Sequence, residues 1–204
     1  MKVLAINGSP HKQGSTAGAL GEFCRELAVQ GIESEIFWIG DKPIAGCTGC
    51  NACRKLGRCV VDDKVNEALE KFRGADGIVL ASPVHYSGIA GAMKCFLDRF
   101  FYTGSKEFYL KVGTVVASLR RSGGVATFDQ LSHYLTICNM VVTSSSYWNV
   151  VHGNNAAEGA QDSEGMHTMR VAARDMAYVL KKLGAADGIE KPELEPKVAM
   201  NFIR

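Results

Sequence analysis

The chain has 204 residues, 47% of them hydrophobic and 22% charged, an ordinary globular composition read as one domain over residues 1–204. A formal net charge of +2 offers no basic stripe for nucleic acid, and no apolar run is long enough to span a bilayer. A strand begins almost at once with no secretory segment before it, so the expected location is cytoplasmic, where seven cysteines point to metal or redox work rather than to a disulfide framework.

The first element is the apolar run Val3-Leu4-Ala5-Ile6, which reads as a strand buried on both faces. It stops at Asn7-Gly8-Ser9-Pro10, and a helix opens after Gly14 with Ser15 and Thr16 as N-cap candidates. A buried strand, a hydroxyl-rich turn and a helix N-terminus make a phosphate-binding arrangement. The first-turn N–H groups have no partners within the helix, and the helix dipole favours an anion there. Ser9, Ser15 and Thr16 add hydroxyl donors, and His11 and Lys12 add positive charge. The stretch matches neither the GxGxxG dinucleotide fingerprint nor the nucleoside-triphosphate loop. The plainer reading is a βα turn whose hydroxyls only cap.

Residues 17–30 carry Leu20, Phe23, Cys24, Leu27 and Ala28 at helical spacing and stop at Gly31; residues 33–39 alternate as a second strand. From 40 to 62 no period appears. A loop of that length inside a compact domain is normally functional, and this one holds four of the seven cysteines. Cys47, Cys50, Cys53 and Cys59 read C-x2-C-x2-C-x5-C, a spacing that can wrap one [4Fe–4S] cubane with a thiolate per iron. Gly46, Gly49 and Gly57 let the loop bend, and Arg54, Lys55 and Arg58 can offset the cluster's negative charge. Tetrahedral zinc, a Cys50–Cys53 redox disulfide, and a loop without metal that only shapes a neighbouring pocket are the alternatives.

Lys64–Arg73 reads as an amphipathic helix closed by Gly74, 77–82 as the most apolar strand, 83–88 as a loop and 90–101 as a helix. A fourth strand follows at 111–119, a loop at 120–124, a helix at 124–138 and a fifth strand at 140–145. Residues 146–163 form a second irregular stretch, 164–183 the last helix, and 184–204 a surface or intersubunit tail. Cys24, Cys95 and Cys138 sit on apolar helix faces as small core residues. Asp98-Arg99 reads as a structural ion pair or interface contact, and Tyr147 and Trp148 as the lining of a pocket or interface. His152 and His167 have no matching base or nucleophile nearby, so neither is given a catalytic role.

Five strands alternating with five helices imply an α/β three-layer sandwich, a parallel sheet of flavodoxin-like order 2-1-3-4-5 with helices on both faces. Ligands in such sheets bind at the carboxyl ends of the strands, at the switch point between the first and third. Three unusual loops converge there, at 9–16, 83–88 and 119–124. Pro83 and Gly88 let backbone approach a flat ring, His85 or Tyr86 can stack on it or edge it, and Ser122, Gly123 and Gly124 add small residues and free amides. A planar, phosphate-bearing ligand fits: flavin mononucleotide. The plain alternatives are a solvated loop histidine at 85 and a surface aromatic at 86.

GSPHKQGST after the first strand, the loop from Cys47 to Asp63, ADGIVLASPVHYSGIAGAMKCFLDR across the third strand and SEGMHTM at the last helix resemble the NADPH-dependent FMN reductase group. In particular, the chain resembles the iron–sulfur flavoproteins, over nearly its whole length. The resemblance implies FMN, with phosphate contacts from Ser9, Ser15 and Thr16 and with His11 or Lys12 nearby. It implies ring contacts from Pro83, Val84, His85, Tyr86, Ser87 and Gly88, and from Arg120, Ser122 and Gly123. It implies NAD(P)H as reductant, and electrons leaving to a small acceptor or singly through a [4Fe–4S] cluster on Cys47, Cys50, Cys53 and Cys59. A homodimer or homotetramer with the flavin near a subunit interface is expected. A non-enzymatic electron carrier exchanging electrons with a ferredoxin-like protein is the second expectation. Where the family commonly has Arg after the first-loop proline this chain has His11 and then Lys12, and where it often has Asn this chain has Ser15. Backbone amides carry most of such binding, so these departures soften the phosphate site without removing it.

Overall fold

The computed structural model describes residues 1–186, 188–196 and 198. Its strands are β1 (Lys2–Asn7), β2 (Glu33–Trp38), β3 (Gly77–His85), β4 (Gly88–Ile89), β5 (Val112–Leu119), β6 (Val141–Val142) and β7 (Val150–His152). Its helices are α1 (Ser15–Val29), α2 (Cys53–Leu56), α3 (Lys64–Arg73), α4 (Gly91–Gly104), α5 (Gly124–Ile137), α6 (Ala156–Gly159) and α7 (Ser163–Gly184). The sheet follows the path β2-β1-β3-β5-β6, with parallel pairing throughout. With the short β4 set aside, this is the expected flavodoxin-like order.

The central strands are apolar at nearly every position because helices cover both faces of the sheet. Leu4, Ile6, Ile78, Leu80 and Val115 point towards α3, α4 and α5, where Phe72, Phe96, Phe100 and Phe108 close the core. Val3, Ala5, Val79, Ala81 and Val116 alternate to the other face and meet Leu20, Phe23 and Leu27 of α1 and Met169 and Met176 of α7. Two ion pairs lock α1 to α7, Arg170 to Glu22 at 2.6 Å and Arg174 to Glu26 at 2.8 Å. No helix among the described residues is long and apolar enough to cross a membrane.

Besides the short helices α2 and α6, which lie in stretches read as irregular, three elements differ from the sequence reading. The fifth strand is broken: β6 covers only the start of β5, and β7, within the stretch read as irregular, covers its end. Beyond Thr143, whose N still donates to Gly113 O at 2.9 Å, the polar run Ser144 to Ser146 leaves the sheet, and the buried Asn149 replaces the missing strand. Its Nδ2 donates to Thr114 Oγ1 at 3.1 Å and to Val115 O at 3.0 Å, while Ala117 N donates to its carbonyl at 2.9 Å. Hydroxyl and amide side chains thus compete with the strand ladder. The loop at 83–88 is a hairpin, since β3 runs on to His85 and turns through Tyr86-Ser87 into antiparallel β4. Helix α1 starts at Ser15 with Gly14 as its N-cap, so Ser15 and Thr16 lie inside the first turn and do not cap it. The described residues of the expected tail are exposed from 188 onward; positions 187, 197 and 199–204 lie outside the described residues.

Candidate functional site

At the end of β1, Gly8 N donates to Ala81 O at 2.9 Å and so ties the first loop to β3. A Cβ on Gly8 would stand 2.9 Å from that carbonyl and against the Met93 thioether, so only glycine lets the chain pass. Asn7 then organises the turn. Its Oδ1 accepts from Ser9 N at 3.0 Å and its Nδ2 reaches Lys12 O at 3.4 Å. Trp38 Nε1 donates to Ser9 O at 2.8 Å, and Lys12 Nζ sits 5.7 Å above the same indole. Neither Asn7 nor Trp38 was picked out in the sequence, although an Asn directly before Gly at a strand end is an Asx-turn signal.

The first turn of α1 has no side-chain cap, because its N-cap is Gly14. Its leading N–H groups therefore keep no partner within the helix. Ser9 is buried, and its hydroxyl accepts from His11 N at 3.1 Å and retains a proton to donate. Thr16 Oγ1 bonds Ser118 Oγ of β5 at 2.6 Å. Ser15 Oγ is buried and has no hydrogen-bond partner. A buried hydroxyl left alone costs about 1–3 kcal/mol; this one stands against α6, where a Cβ on Gly159 would lie 2.9 Å from it. His11 and Lys12 are exposed at the loop's rim.

The hairpin places Pro83 and Val84 half-buried and His85, Tyr86 and Ser87 exposed, with Tyr86 fully solvated at the tip. Tyr86 (φ +49°) and Ser87 (φ +58°) are both left-handed, as a two-residue primed turn requires, although Asn-Gly is its usual sequence. Holding a tyrosine there is strained, and such strain concentrates at functional sites. Gly123, N-cap of α5 at φ +89°, packs against this turn; a Cβ on it would stand 2.8 Å from Ser87 Cα. Pro83 through Gly88, Ser9 through Thr16 and Gly123 therefore share the carboxyl ends of β1, β3 and β5. Arg120 and Ser122 are exposed, and Ser122 also faces a second cavity of about 220 Å³ beyond β7, lined by Arg121, Tyr147, Trp148 and His152. Tyr147 and Trp148 thus line an outer-edge cavity. There burial pushes the Asp162 carboxyl up, but the amides of His152 and Gly165, with the His152 side chain, together hold it below its ordinary range.

The four loop cysteines line one largely apolar cavity of about 70 Å³. All are free thiols, and Cys47 and Cys50 are exposed. Among the described residues no three His, Cys, Asp or Glu side chains gather about a single ion. The loop is nonetheless held from outside. Asn66 brackets Cys59, accepting from its N at 2.8 Å and donating to its O at 3.0 Å. Tyr102 Oη donates to Asn51 Oδ1 at 2.6 Å and accepts from Arg54 at 3.2 Å, and Arg73 donates to Gly57 O at 2.6 Å. Arg99 pairs with Asp63, not with its neighbour Asp98, and its Nε lies 3.3 Å from Cys59 Sγ.

The profile of the family described as NADPH-dependent FMN reductase matches residues 1–155. An iron–sulfur flavoprotein of Methanocaldococcus jannaschii is 32% identical over 194 residues, covering 89% of this chain and 98% of that one. An iron–sulfur flavoprotein of Methanosarcina thermophila is 32% identical over 186 residues, covering 89% and 96%. Among solved structures, RosB with its bound intermediate 8-demethyl-8-formylriboflavin-5′-phosphate superposes with a TM-score of 0.72 at 17% identity, covering 100% of this chain and 96% of that one. With the glycine-gated turn and uncapped helix at the sheet's switch point, these likenesses leave one assignment: the chain belongs to the NADPH-dependent FMN reductase family.

Proposed function

We propose that the protein binds FMN at the β1, β3 and β5 carboxyl ends and works as a cytoplasmic NAD(P)H-dependent oxidoreductase whose cysteine loop holds a [4Fe–4S] cluster. The observation that carries the flavin reading is the uncapped start of α1 behind the glycine-gated turn, at the carboxyl ends of β1, β3 and β5. The phosphate is held by the first-turn amides and the hydroxyls of Ser9, Ser15 and Thr16, with His11 and Lys12 adding charge from the rim. Pro83, Val84, His85, Tyr86, Ser87 and Gly88 line one side of the ring, and Arg120, Ser122 and Gly123 the other. When bound, FMN supplies the redox chemistry, taking a hydride from NAD(P)H and giving up electrons as a pair or singly. The protein's part is to orient the ring, hydrogen-bond it through backbone and keep water off its buried edge. No acid–base pair is needed for that.

The cysteine loop fits a cluster by its donor set. Four free thiols face one apolar cavity on a backbone pinned by Asn66, Tyr102, Arg73 and Arg99. Thiolates spread around a cavity suit a group with one iron per thiolate better than a single tetrahedral ion, which needs them at one point. Exposure of Cys47 and Cys50 supports single-electron exchange with a ferredoxin-like partner as the second reading. The same reading includes a homodimer or homotetramer, supported by the solvated Tyr86 tip.

The test is the visible spectrum of protein purified without oxygen, with iron and acid-labile sulfide analysis. Flavin bands with about four irons per chain are expected. Rapid bleaching by NADPH or NADH distinguishes the oxidoreductase from a carrier reduced only by ferredoxin. A colourless protein that takes up no FMN would overturn the flavin reading, and flavin without iron the cluster.

A further inference from the structure

Arg99 lies on α4 directly beneath the cysteine loop and is only 2% exposed. A guanidinium so buried must have its charge and its donors answered. Nη1 donates to Asp63 Oδ2 at 2.6 Å and to Ala45 O at 3.3 Å. Nη2 donates to Asp63 Oδ1 at 3.0 Å and to Val61 O at 2.8 Å. One residue thus grips the loop on both sides of the four cysteines. Asp63 is fixed in turn, since its Oδ1 also caps α3 by accepting from Val65 N at 3.1 Å. With both Nη groups on the carboxylate and the carbonyls, the remaining donor, Nε, is aimed at Cys59 Sγ at 3.3 Å. The planar fork of arginine makes that triple engagement; the point charge of lysine cannot.

The cations that the sequence offered for the cluster lie at the surface, and two of them are engaged elsewhere. Arg54 donates to Tyr102, Arg58 pairs with Asp62 at 2.8 Å, and Arg54, Lys55 and Arg58 are all exposed, where water screens them. Arg99 is the buried cation that touches a loop sulfur.

We propose that Arg99 is a positioning residue of the cysteine centre: it fixes Cys59 at its corner and, by donating Nε–H to that sulfur, raises the reduction potential of the group the loop holds. The inference rests on the cluster reading above. A hydrogen bond and a fixed positive charge at a ligating sulfur favour the reduced, more negative state.

The test compares parent, R99K and R99Q, purified without oxygen with FMN bound. Iron, sulfide and FMN per chain are measured, and both redox centres are titrated separately. In R99Q the flavin content and flavin potential should match the parent, while the potential of the iron centre moves to more negative values. R99K, keeping charge but not the fork, should fall between. Iron loss from R99Q with FMN retained supports the positioning role, and R99K then decides the potential. If R99Q does not fold, R99K decides both. An iron centre with the parent potential in R99Q, or in R99K where R99K decides, overturns the inference and leaves the cluster reading standing. A parent that binds FMN but no iron overturns the cluster reading, and the inference falls with it.

Discussion

Replacing Ser15 by alanine should move the flavin-free and the flavin-bound protein in opposite directions. In the flavin-free protein the Ser15 hydroxyl is buried without a partner, a cost of about 1–3 kcal/mol that alanine removes. Alanine is also the better helix residue. At roughly 2–4 °C per kcal/mol for a chain of this size, the melting temperature should rise by about 2–12 °C. With FMN, the same hydroxyl is a donor to a charged phosphate, worth about 1.5–3 kcal/mol, so S15A should weaken the FMN dissociation constant by roughly ten- to a hundred-fold. Thermal unfolding of the flavin-free protein and a fluorescence titration with FMN read the two effects separately. Ser9 is the contrasting control. Its oxygen already accepts from His11 N, so S9A orphans an amide and should lower stability as well as affinity. An S15A protein that binds FMN as tightly as the parent, or melts lower without it, would refute the assignment of Ser15 to the phosphate.

At Gly123, alanine must adopt φ +89° with a Cβ 2.8 Å from Ser87 Cα; the backbone conformation costs about 1–2 kcal/mol and the overlap about 1–3 more, so G123A should melt lower and bind FMN more weakly, and an unchanged melt would refute the packing. Hydrogen bonds from Arg174 and Gln30 hold the Glu26 carboxyl below its ordinary value against the opposing effect of burial. A depressed carboxyl contributes stability that is present above the unfolded value, about 4.3, and is lost as the pH falls through the folded one, so melting temperature against pH should fall less steeply below that point in E26Q than in the parent. Burial, with the Asp98 carboxylate accepting its proton, pushes the Tyr134 phenol up to about 12. A raised pKa contributes stability that is present below the unfolded value, about 10, and is lost as the pH rises through the folded one. The phenolate absorbance of the folded protein should therefore contain one late-titrating tyrosine that Y134F removes.

The strand order was legible because the central parallel strands β1, β3 and β5 are buried on both faces and so read as largely unbroken apolar runs, and because the punctuating glycines fall between elements. The broken fifth strand was not legible. Val141 and Val142 look like the start of a full strand, and only the tertiary position of Asn149, seven residues on, shows that a side chain replaces the ladder there. The site's loops were legible from their glycine, proline and hydroxyl content, but not which hydroxyl would be orphaned. That depends on Thr16 reaching Ser118, a partner 102 residues away, while its neighbour Ser15 reaches nothing. Arg99 is in a structural ion pair, as read, but its partner was not legible, for the same reason. Adjacent in sequence to Asp98, it turns to Asp63 because successive helical residues point in different directions.

Helix α4 ties the two candidate centres to one core. Near its start Ala90 N donates to Ser82 Oγ at 3.1 Å, and Met93 fills the space under Gly8 at the phosphate turn. Six residues on, about 9 Å along the axis, Arg99 grips the cysteine loop. Phe96 and Leu97 between them, and Phe100 just beyond Arg99, are fully buried, with Phe100 ringed by Phe72, Phe101 and Phe108. The spacing of the centres is therefore set by packing that belongs to neither of them. Phe100→Ala should cost about 3–5 kcal/mol and lower FMN and iron content together, since it loosens the element both loops lean on. S15A should affect the flavin alone, and R99Q the cysteine centre alone. Loss of one cofactor from F100A at full occupancy of the other would show that the two loops take their positions from different parts of the fold.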